Sequence, residues 1–315
     1  MGLQIARRFA ALPVVLFGVS VIVFLALHLA PGNPALLLLG PLATPHELSV
    51  LTRQLGLDQP LWVQYGDWLG SFVTGNWGQS IQMRTAVAPL VLSRLANTVL
   101  LAVAAFVVST VLGLAAGILA GIFPNAWPDT LVGVVDFVGL SVPVFWLGLL
   151  LVALFSLTLP WFPVGGMYDV GVSATAGQVA YHLVLPTLAL AVVPGTVVSQ
   201  ITRNALVDET AKQYVRTALA KGMSRRRALF LHALRNAWIP IVTTLGLEIN
   251  YVIGADVLVE NVFNWPGIGQ LLVTSVIDRD YPVVLAGTML LALIFIAVNL
   301  AVETLYTLID PRIKA

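Results

Sequence analysis

The sequence predicts an all-α integral membrane protein with six transmembrane helices and both termini in the cytoplasm, and three observations carry that prediction. The chain of 315 residues is 58% hydrophobic and only 10% charged, with a mean hydropathy of +0.93. A soluble domain carries about a quarter charged residues, so this chain cannot cover its surface with charge, and its apolar surface must face lipid. Six stretches are long and apolar enough to cross a bilayer, and the cations between them are strongly biased to one side.

A span needs roughly 20 apolar residues to cross a hydrocarbon core of about 30 Å. Segments at about 10–30, 99–122, 131–157, 183–201, 237–258 and 283–305 qualify, within a single transmembrane domain covering 1–315. The first follows Arg7 and Arg8 like a signal peptide, but it is too long for an h-region. His28 also stands where a cleavage site wants a small residue, so we read it as a retained span. With the N-terminus inside, twelve of the sixteen Lys and Arg fall on the cytoplasmic side. Only Arg53, Arg84, Arg94 and Arg279 fall on the other, and none is left within a span. That is the positive-inside pattern. Net charge is +1, which gives no reason to expect a nucleic-acid partner, and cysteine is absent, which excludes disulfides and thiolate chemistry. Pro13, Pro143, Pro186 and Pro194 lie within spans, where each removes a backbone donor and is expected to kink its helix.

Three polar regions stand out. The outer loop 31–98 is rich in Gly, Pro and Trp, with amphipathic patches around 45–55 and 61–73. Trp62, Tyr65, Trp68 and Trp77 suit a helix at headgroup level, either as an interfacial plug packed on the bundle or as a docking surface for an external partner. The inner loop 203–236 carries eight of the sixteen cations. Good helix formers over 208–221 give way to Gly222, and Ser224 can cap a second helix over 225–233. A basic loop near anionic headgroups would explain the charge but not this helix–Gly–helix order. In the last outer loop, Asn264-Trp265-Pro266-Gly267 reads as a tight turn with a re-entrant hairpin, placing Trp265 at the membrane interface.

These regions resemble the permease subunits of dipeptide, oligopeptide and nickel ABC importers. The resemblance runs from LAPGNP at 29–34 to LIDPRIKA at 308–315. It is carried most specifically by LGLDQPLWVQYGDWL (55–69), YVRTALAKGMSRRRALFLHALRNAWIP (214–240), and ENVFNWPGIGQLL with RDYPVV (260–284). It implies a type I ABC importer permease fold in a bacterial inner membrane. In that family the inner loop is a variant of the glutamate-alanine-alanine coupling loop. Gly222 anchors the match, with Arg216, Thr217 and Ala218 in the first triplet and the later proline delayed to Pro240. The residues expected to couple to an ATPase subunit are Tyr214, Thr217, Ala218, Lys221, Gly222, Met223, Ser224 and Arg225. Small residues there allow close approach, Met223 offers an adaptable apolar knob, and the polar groups suit a groove rim.

The motor must lie elsewhere. A P-loop needs Lys followed by Ser or Thr, whereas Lys212, Lys221 and Lys314 precede Gln, Gly and Ala. The resemblance therefore implies a non-catalytic chain without a cofactor or metal of its own, with ATP and magnesium in its partners. Those partners are two ATP-binding subunits, a second related permease, a periplasmic substrate-binding protein and membrane lipid. Among acidic residues near or within spans, Asp136 and Glu303 are placed at span edges as snorkelling or capping groups, and Asp256 is assigned no role. Glu248, near Asn250, is mid-span; with Ser141 and Pro143 these form a candidate translocation pathway, although a structural interhelical bond is an equal reading. An ion-coupled secondary transporter could use Glu248 but gives no reason for the coupling loop. An intramembrane enzyme finds no support, since His28, His46, His182 and His232 are scattered and no catalytic motif is present. The lack of a His- or Met-rich stripe favours peptides over bare metal ions, with nickel, metal-chelate or glutathione import as the alternative.

Overall fold

The structure is a computed structural model that describes residues 2–29, 36, 39–40, 43–54, 56–169, 171 and 175–309. The LAPGNP stretch beyond Leu29, together with Arg312 and Lys314, lies outside them, as do the side chains of Arg7, Arg8 and Arg226. The described helices are α1 (Gly2–Leu29), α2 (Pro45–Gln54), α3 (Leu61–Val73), α4 (Val87–Ile122) and α5 (Trp127–Ser141). Next come α6 (Val144–Leu151, continued as π-helix over Val152–Thr158), α7 (Ala176–Ala211) and α8 (Gln213–Ala220). The last are α9 (Arg225–Ala228, continued as π-helix over Leu229–Ala233), α10 (Leu234–Val262), α11 (Ile268–Ile277) and α12 (Tyr281–Ile309). Among the described residues there is no strand beyond one antiparallel bridge, Gln79 to Ala86. Among the described residues five helices are long and apolar enough to cross a membrane, and there are six if one bent pair is counted as a single span.

That bent pair corrects the expectation of a plain span over 131–157. Val142 is extended (φ −93°, ψ 122°), the conformation imposed on a residue before proline, and Pro143 then opens α6. The two helix axes differ by 106°. Neither half reaches the roughly 20 residues a crossing needs, so the segment is two short helices at a sharp break and not one kinked helix. Pro13, Pro186 and Pro194, by contrast, stay inside continuous helices.

The chain forms two compact units, Met1–Asn97 with Gly267–Ala297, and Thr98–Pro266 with Val298–Ala315. In the first, Thr44 and Glu47 make a capping box at the start of α2. The Thr44 amide and hydroxyl donate to Glu47 Oε2 at 2.8 and 2.7 Å, holding that carboxyl below its ordinary range. Helix α3 packs on α1 through Tyr65, whose hydroxyl meets Ser20 Oγ at 2.7 Å and whose ring stands edge-on to Phe24. Trp68 joins the same cluster and Trp77 stacks on Phe72, whereas Trp62 points outward. Three of the four interfacial aromatics thus serve this unit's own packing. Asp280, from the RDYPVV block, is buried and latches the turn before α4. It accepts from the Ser80 hydroxyl and from the Ile81 and Gln82 amides, the last two at 3.1 and 3.3 Å.

The second unit is organised around α7. Gly113, Gly117 and Gly121, one turn apart on α4, lie against it. A Cβ at these positions would sit 2.5 Å from the Gly195 carbonyl oxygen, 2.4 Å from that of Ser199 and 2.9 Å from Leu206 Cβ. Small residues let helix backbones approach closely where lipid supplies no hydrophobic drive between helices. Helix α5 packs against α7 with a polar register. Ser199 Oγ donates to Asp136 Oδ2 at 2.9 Å, and the Arg203 guanidinium donates through two nitrogens to the Asp129 carboxylate, NH2 to Oδ2 at 2.7 Å. Asp136 is therefore a buried interhelical acceptor, not a span-edge group. The expected interfacial position of Trp265 is also overturned. It is fully buried in the core with Leu101, Leu185 and Phe263, because the chain doubles back there with Trp265 N bonding Glu260 O at 2.8 Å and Gly166 N bonding Phe263 O at 2.8 Å.

The glycine seam gives a direct test. Gly117→Ala forces a Cβ into the Ser199 carbonyl and should destabilise the detergent-solubilised protein by about 1–3 kcal/mol in thermal unfolding. Gly133→Ala, whose Cβ meets nothing within 4 Å, should leave the melting temperature unchanged or higher. Equal melting of the two variants contradicts the close packing.

Candidate functional site

The inner loop is built as a rigid corner, and its parts follow from local chemistry. Helix α7 ends at Ala211, where Lys212 turns extended (φ −69°, ψ 152°) and Lys212 N bonds Glu209 O. Helix α8 then runs only eight residues, held to the unit by buried Val215. It is closed by a complete Schellman motif: Gly222 N donates to Leu219 O at 2.9 Å and Met223 N to Ala218 O at 3.1 Å. That motif requires a left-handed residue, and Gly222 supplies it at φ +91°. Ser224 O accepts from Ala228 N at 3.0 Å, starting α9. The second helix expected to end near 233 does not end. It passes through the π-helix into α10, so the corner joins two long helices directly.

The predicted coupling residues divide into two groups. Thr217, Lys221, Gly222, Ser224 and Arg225 are exposed, with Ala218 and Met223 partly covered at the turn. Tyr214 is different, because its hydroxyl serves the corner itself. It donates to Glu209 Oε2 at 2.5 Å and accepts from Asn236 Nδ2 at 2.9 Å, tying the end of α7 to the start of α10. Burial and the neighbouring Glu209 hold the Tyr214 hydroxyl above its ordinary range, so it remains a donor. Lys212 closes the cluster with a 2.5 Å bond to Glu209 Oε1, which raises the lysine. Thr217 returns its hydroxyl to Gln213 O at 2.9 Å. Ala228 and Leu229 are buried, while Leu219, Phe230 and Leu231 are exposed among the cations. The corner thus presents a mixed apolar and basic knob on a firmly bonded base.

The predicted pathway residues lie on three helices, Ser141 at the end of α5, Pro143 at the start of α6, and Glu248 and Asn250 on α10. Ser141 bonds its own helix at Phe137 O (2.7 Å) and stands beside Pro143 at the break. Glu248 and Asn250 are two residues apart on α10, so their side chains leave from nearly opposite faces. Asn250 donates to Asn299 of α12 at 3.2 Å, an interhelical tie, and Glu248 is half-buried. Sequence reasoning missed the polar ladder Asp129–Arg203 and Asp136–Ser199. Its signal was the seven-residue spacing of the two acids facing residues four apart on α7. It also missed buried Glu260, which accepts from Thr98 Oγ1 at 2.5 Å, and left without a role Asp256, which is 1% exposed with neither carboxylate oxygen hydrogen-bonded. Among the described residues no three His, Asp or Glu side chains converge in a metal-binding group.

Residues 113–315 match the family described as binding-protein-dependent transport system inner membrane component, and residues 1–102 match the N-terminal region of such membrane components. The chain is 42% identical over 310 residues to the glutathione transport system permease protein GsiC of Escherichia coli (strain K12), covering 98% of each chain. GsiC of Shigella dysenteriae serotype 1 (strain Sd197) is equally similar. Two solved structures share the fold. The MetNI methionine ABC transporter in inward-facing form matches with a TM-score of 0.56 at 16% identity, over 70% of this chain and 96% of that one. An amino acid ABC transporter with histidines matches with a TM-score of 0.51 at 17% identity, over 71% and 94%.

The corner's dependence on glycine can be measured locally. Gly222→Ala has room for its Cβ but must hold φ +91°, costing about 1–2 kcal/mol. Amide exchange at Met223 should then quicken about 5- to 30-fold, the factor that energy represents. Unchanged exchange contradicts the Schellman closure.

Proposed function

The chain belongs to the family of binding-protein-dependent transport system inner membrane components, and on that premise we propose that it forms half of the channel of an ATP-driven peptide importer. It is a multi-pass bacterial inner-membrane permease of the ABC importer type. In our reading residues 1–315 act as a single permease domain. The loop 31–98 faces the periplasm and the corner 203–236 faces the cytoplasm. Two ATP-binding subunits, carrying the ATP and magnesium, dock at the corner. A second related permease completes the channel, and a periplasmic binding protein delivers cargo.

The observation that carries the substrate class is the 42% identity to GsiC across 98% of both chains. Glutathione, an alternative to di- and oligopeptides on sequence grounds, is the cargo we favour from this similarity, and it is itself a tripeptide. Transport follows by alternating access. Closure of the ATPases pushes the corner, and α7 and α10, which leave it on either side, carry that movement into the bundle. The chain forms no covalent bond with cargo. Thr217, Ala218, Lys221, Gly222, Met223, Ser224 and Arg225 make the docking contact, while Tyr214 stiffens its base. Glu248 at mid-helix and Ser141 with Pro143 at the break remain the pathway candidates; Asn250 holds α12.

Two measurements test this reading. Gly222→Arg should insert normally yet retain the ATPase subunits about tenfold less on co-purification, and retention at the normal level contradicts the docking assignment. In vesicles holding the complete importer and its binding protein, ATP-dependent uptake of labelled glutathione should be competed by short peptides and not by nickel. Uptake that persists without ATP and collapses with the proton gradient establishes the ion-coupled alternative instead.

A further inference from the structure

The first unit contains a cavity of about 1070 Å³ that the transport reading leaves unused. Small-molecule sites run to about 300–1,000 Å³, so this space is far beyond what a single ion or water requires. It is bounded by the C-terminal end of α1 at Phe24 and His28, one face of α3 and the first turns of α12 at Tyr281 and Leu285. Its aromatic wall is fixed. The Phe24 and His28 rings stack at 4.0 Å, the Trp68 ring lies 5.9 Å from Phe24, and His28 Nδ1 is held by Phe24 O at 2.8 Å. Its other edge is fixed too, because the Asp280 latch sets the turn from Ser80 to Arg84, and Arg84 N closes that turn on Ser80 O at 3.0 Å.

Two opposite charges line this largely apolar space, Asp67 from α3 and Arg84 from the latched turn. Among the described residues neither side chain takes part in an ion pair or a hydrogen bond. Helix α1, which forms one wall, is the least internally covered of the five long spans, with 11% of its apolar window buried against 61% for α7. The cavity therefore adjoins a span whose surface is left for lipid. Asp67 and Arg84 are both exposed, so the apolar space carries one acid and one base at its open rim, an arrangement that suits an amphiphile with both charges in its headgroup. A purely anionic headgroup would place its charge beside Asp67 as well as Arg84.

We propose that this cavity binds a zwitterionic glycerophospholipid of the outer leaflet, its phosphate on Arg84, its ammonium on Asp67 and the upper part of an acyl chain against Phe24 and Trp68. The site depends only on the first unit's own geometry, so it stands or falls separately from the peptide reading. The lipid fills a space that the chain's own side chains do not.

The test uses the complete importer equilibrated with vesicles of equal phosphatidylethanolamine and phosphatidylglycerol with identical acyl chains, then native mass spectrometry of the intact complex. The expected result is one tightly retained lipid, phosphatidylethanolamine over phosphatidylglycerol by at least about fivefold, the discrimination that roughly 1 kcal/mol gives. Asp67→Asn should erase or invert that preference while keeping a lipid, an outcome a misfolded variant does not give. Arg84→Gln and the cavity-filling Ser71→Trp should each lose the retained lipid. Equal retention of the two lipids by the unmodified complex, or variants that behave like it, overturns the proposal. Displacement of the lipid by a millimolar dipeptide also overturns it, in favour of a cargo cavity.

Discussion

The closeness of α4 to α7 is the constraint on which the second unit depends. Three glycines spaced by four bring the α4 backbone against the Gly195 and Ser199 carbonyls, and no larger residue fits there without displacement. In a bilayer the lipid tails are as apolar as the side chains, so association rests on such close contact and on interhelical hydrogen bonds. Ser199 contributes to both, with its carbonyl at the Gly117 seam and its hydroxyl on Asp136. Arg203, one turn on, clamps Asp129 at the start of α5. Helix α7 is thereby gripped on two sides and is the most internally buried of the long spans.

This grip matters because α7 runs into the inner corner. A single extended residue, Lys212, separates α7 from α8, and the Schellman turn at Gly222 hands the chain on through α9 to α10. The Glu209–Tyr214–Asn236 bonds close the loop between the two long helices. A push on the exposed knob has little local slack in which to dissipate. The corner's stiffness and its exposed residues belong to one design, in which the Glu209–Tyr214–Asn236 bonds brace the base and Lys221, Ser224 and Arg225 are exposed at the turn.

Much of this was legible in the sequence. Long apolar runs locate spans because their length is imposed by the bilayer, and five of them lie within continuous helices. Gly222 was legible because a glycine between two good helix formers has few other uses. The 131–157 segment was not, since hydropathy is blind to direction and only the extended residue before Pro143 reveals a 106° turn. Trp265 was misplaced for a related reason. A tryptophan beside a turn signals the membrane interface by composition, but here the turn folds back on Phe263 and Glu260 and draws the ring into the core. Asp136 and Ser199 are separated by 63 residues, so their bond leaves no local pattern. Amphipathic patches around 45–55 and 61–73 pointed rightly to helices in the outer loop, but nothing local revealed the packing of Tyr65 on α1.

The central claim is that the corner at residues 221–225 lies on the cytoplasmic side and receives the motor. The chain has no cysteine, so Ser224→Cys supplies a single reporter. A membrane-impermeant maleimide should label it in inside-out vesicles and not in right-side-out ones, and bound ATPase subunits should slow that labelling. Labelling from the periplasmic face would contradict the account.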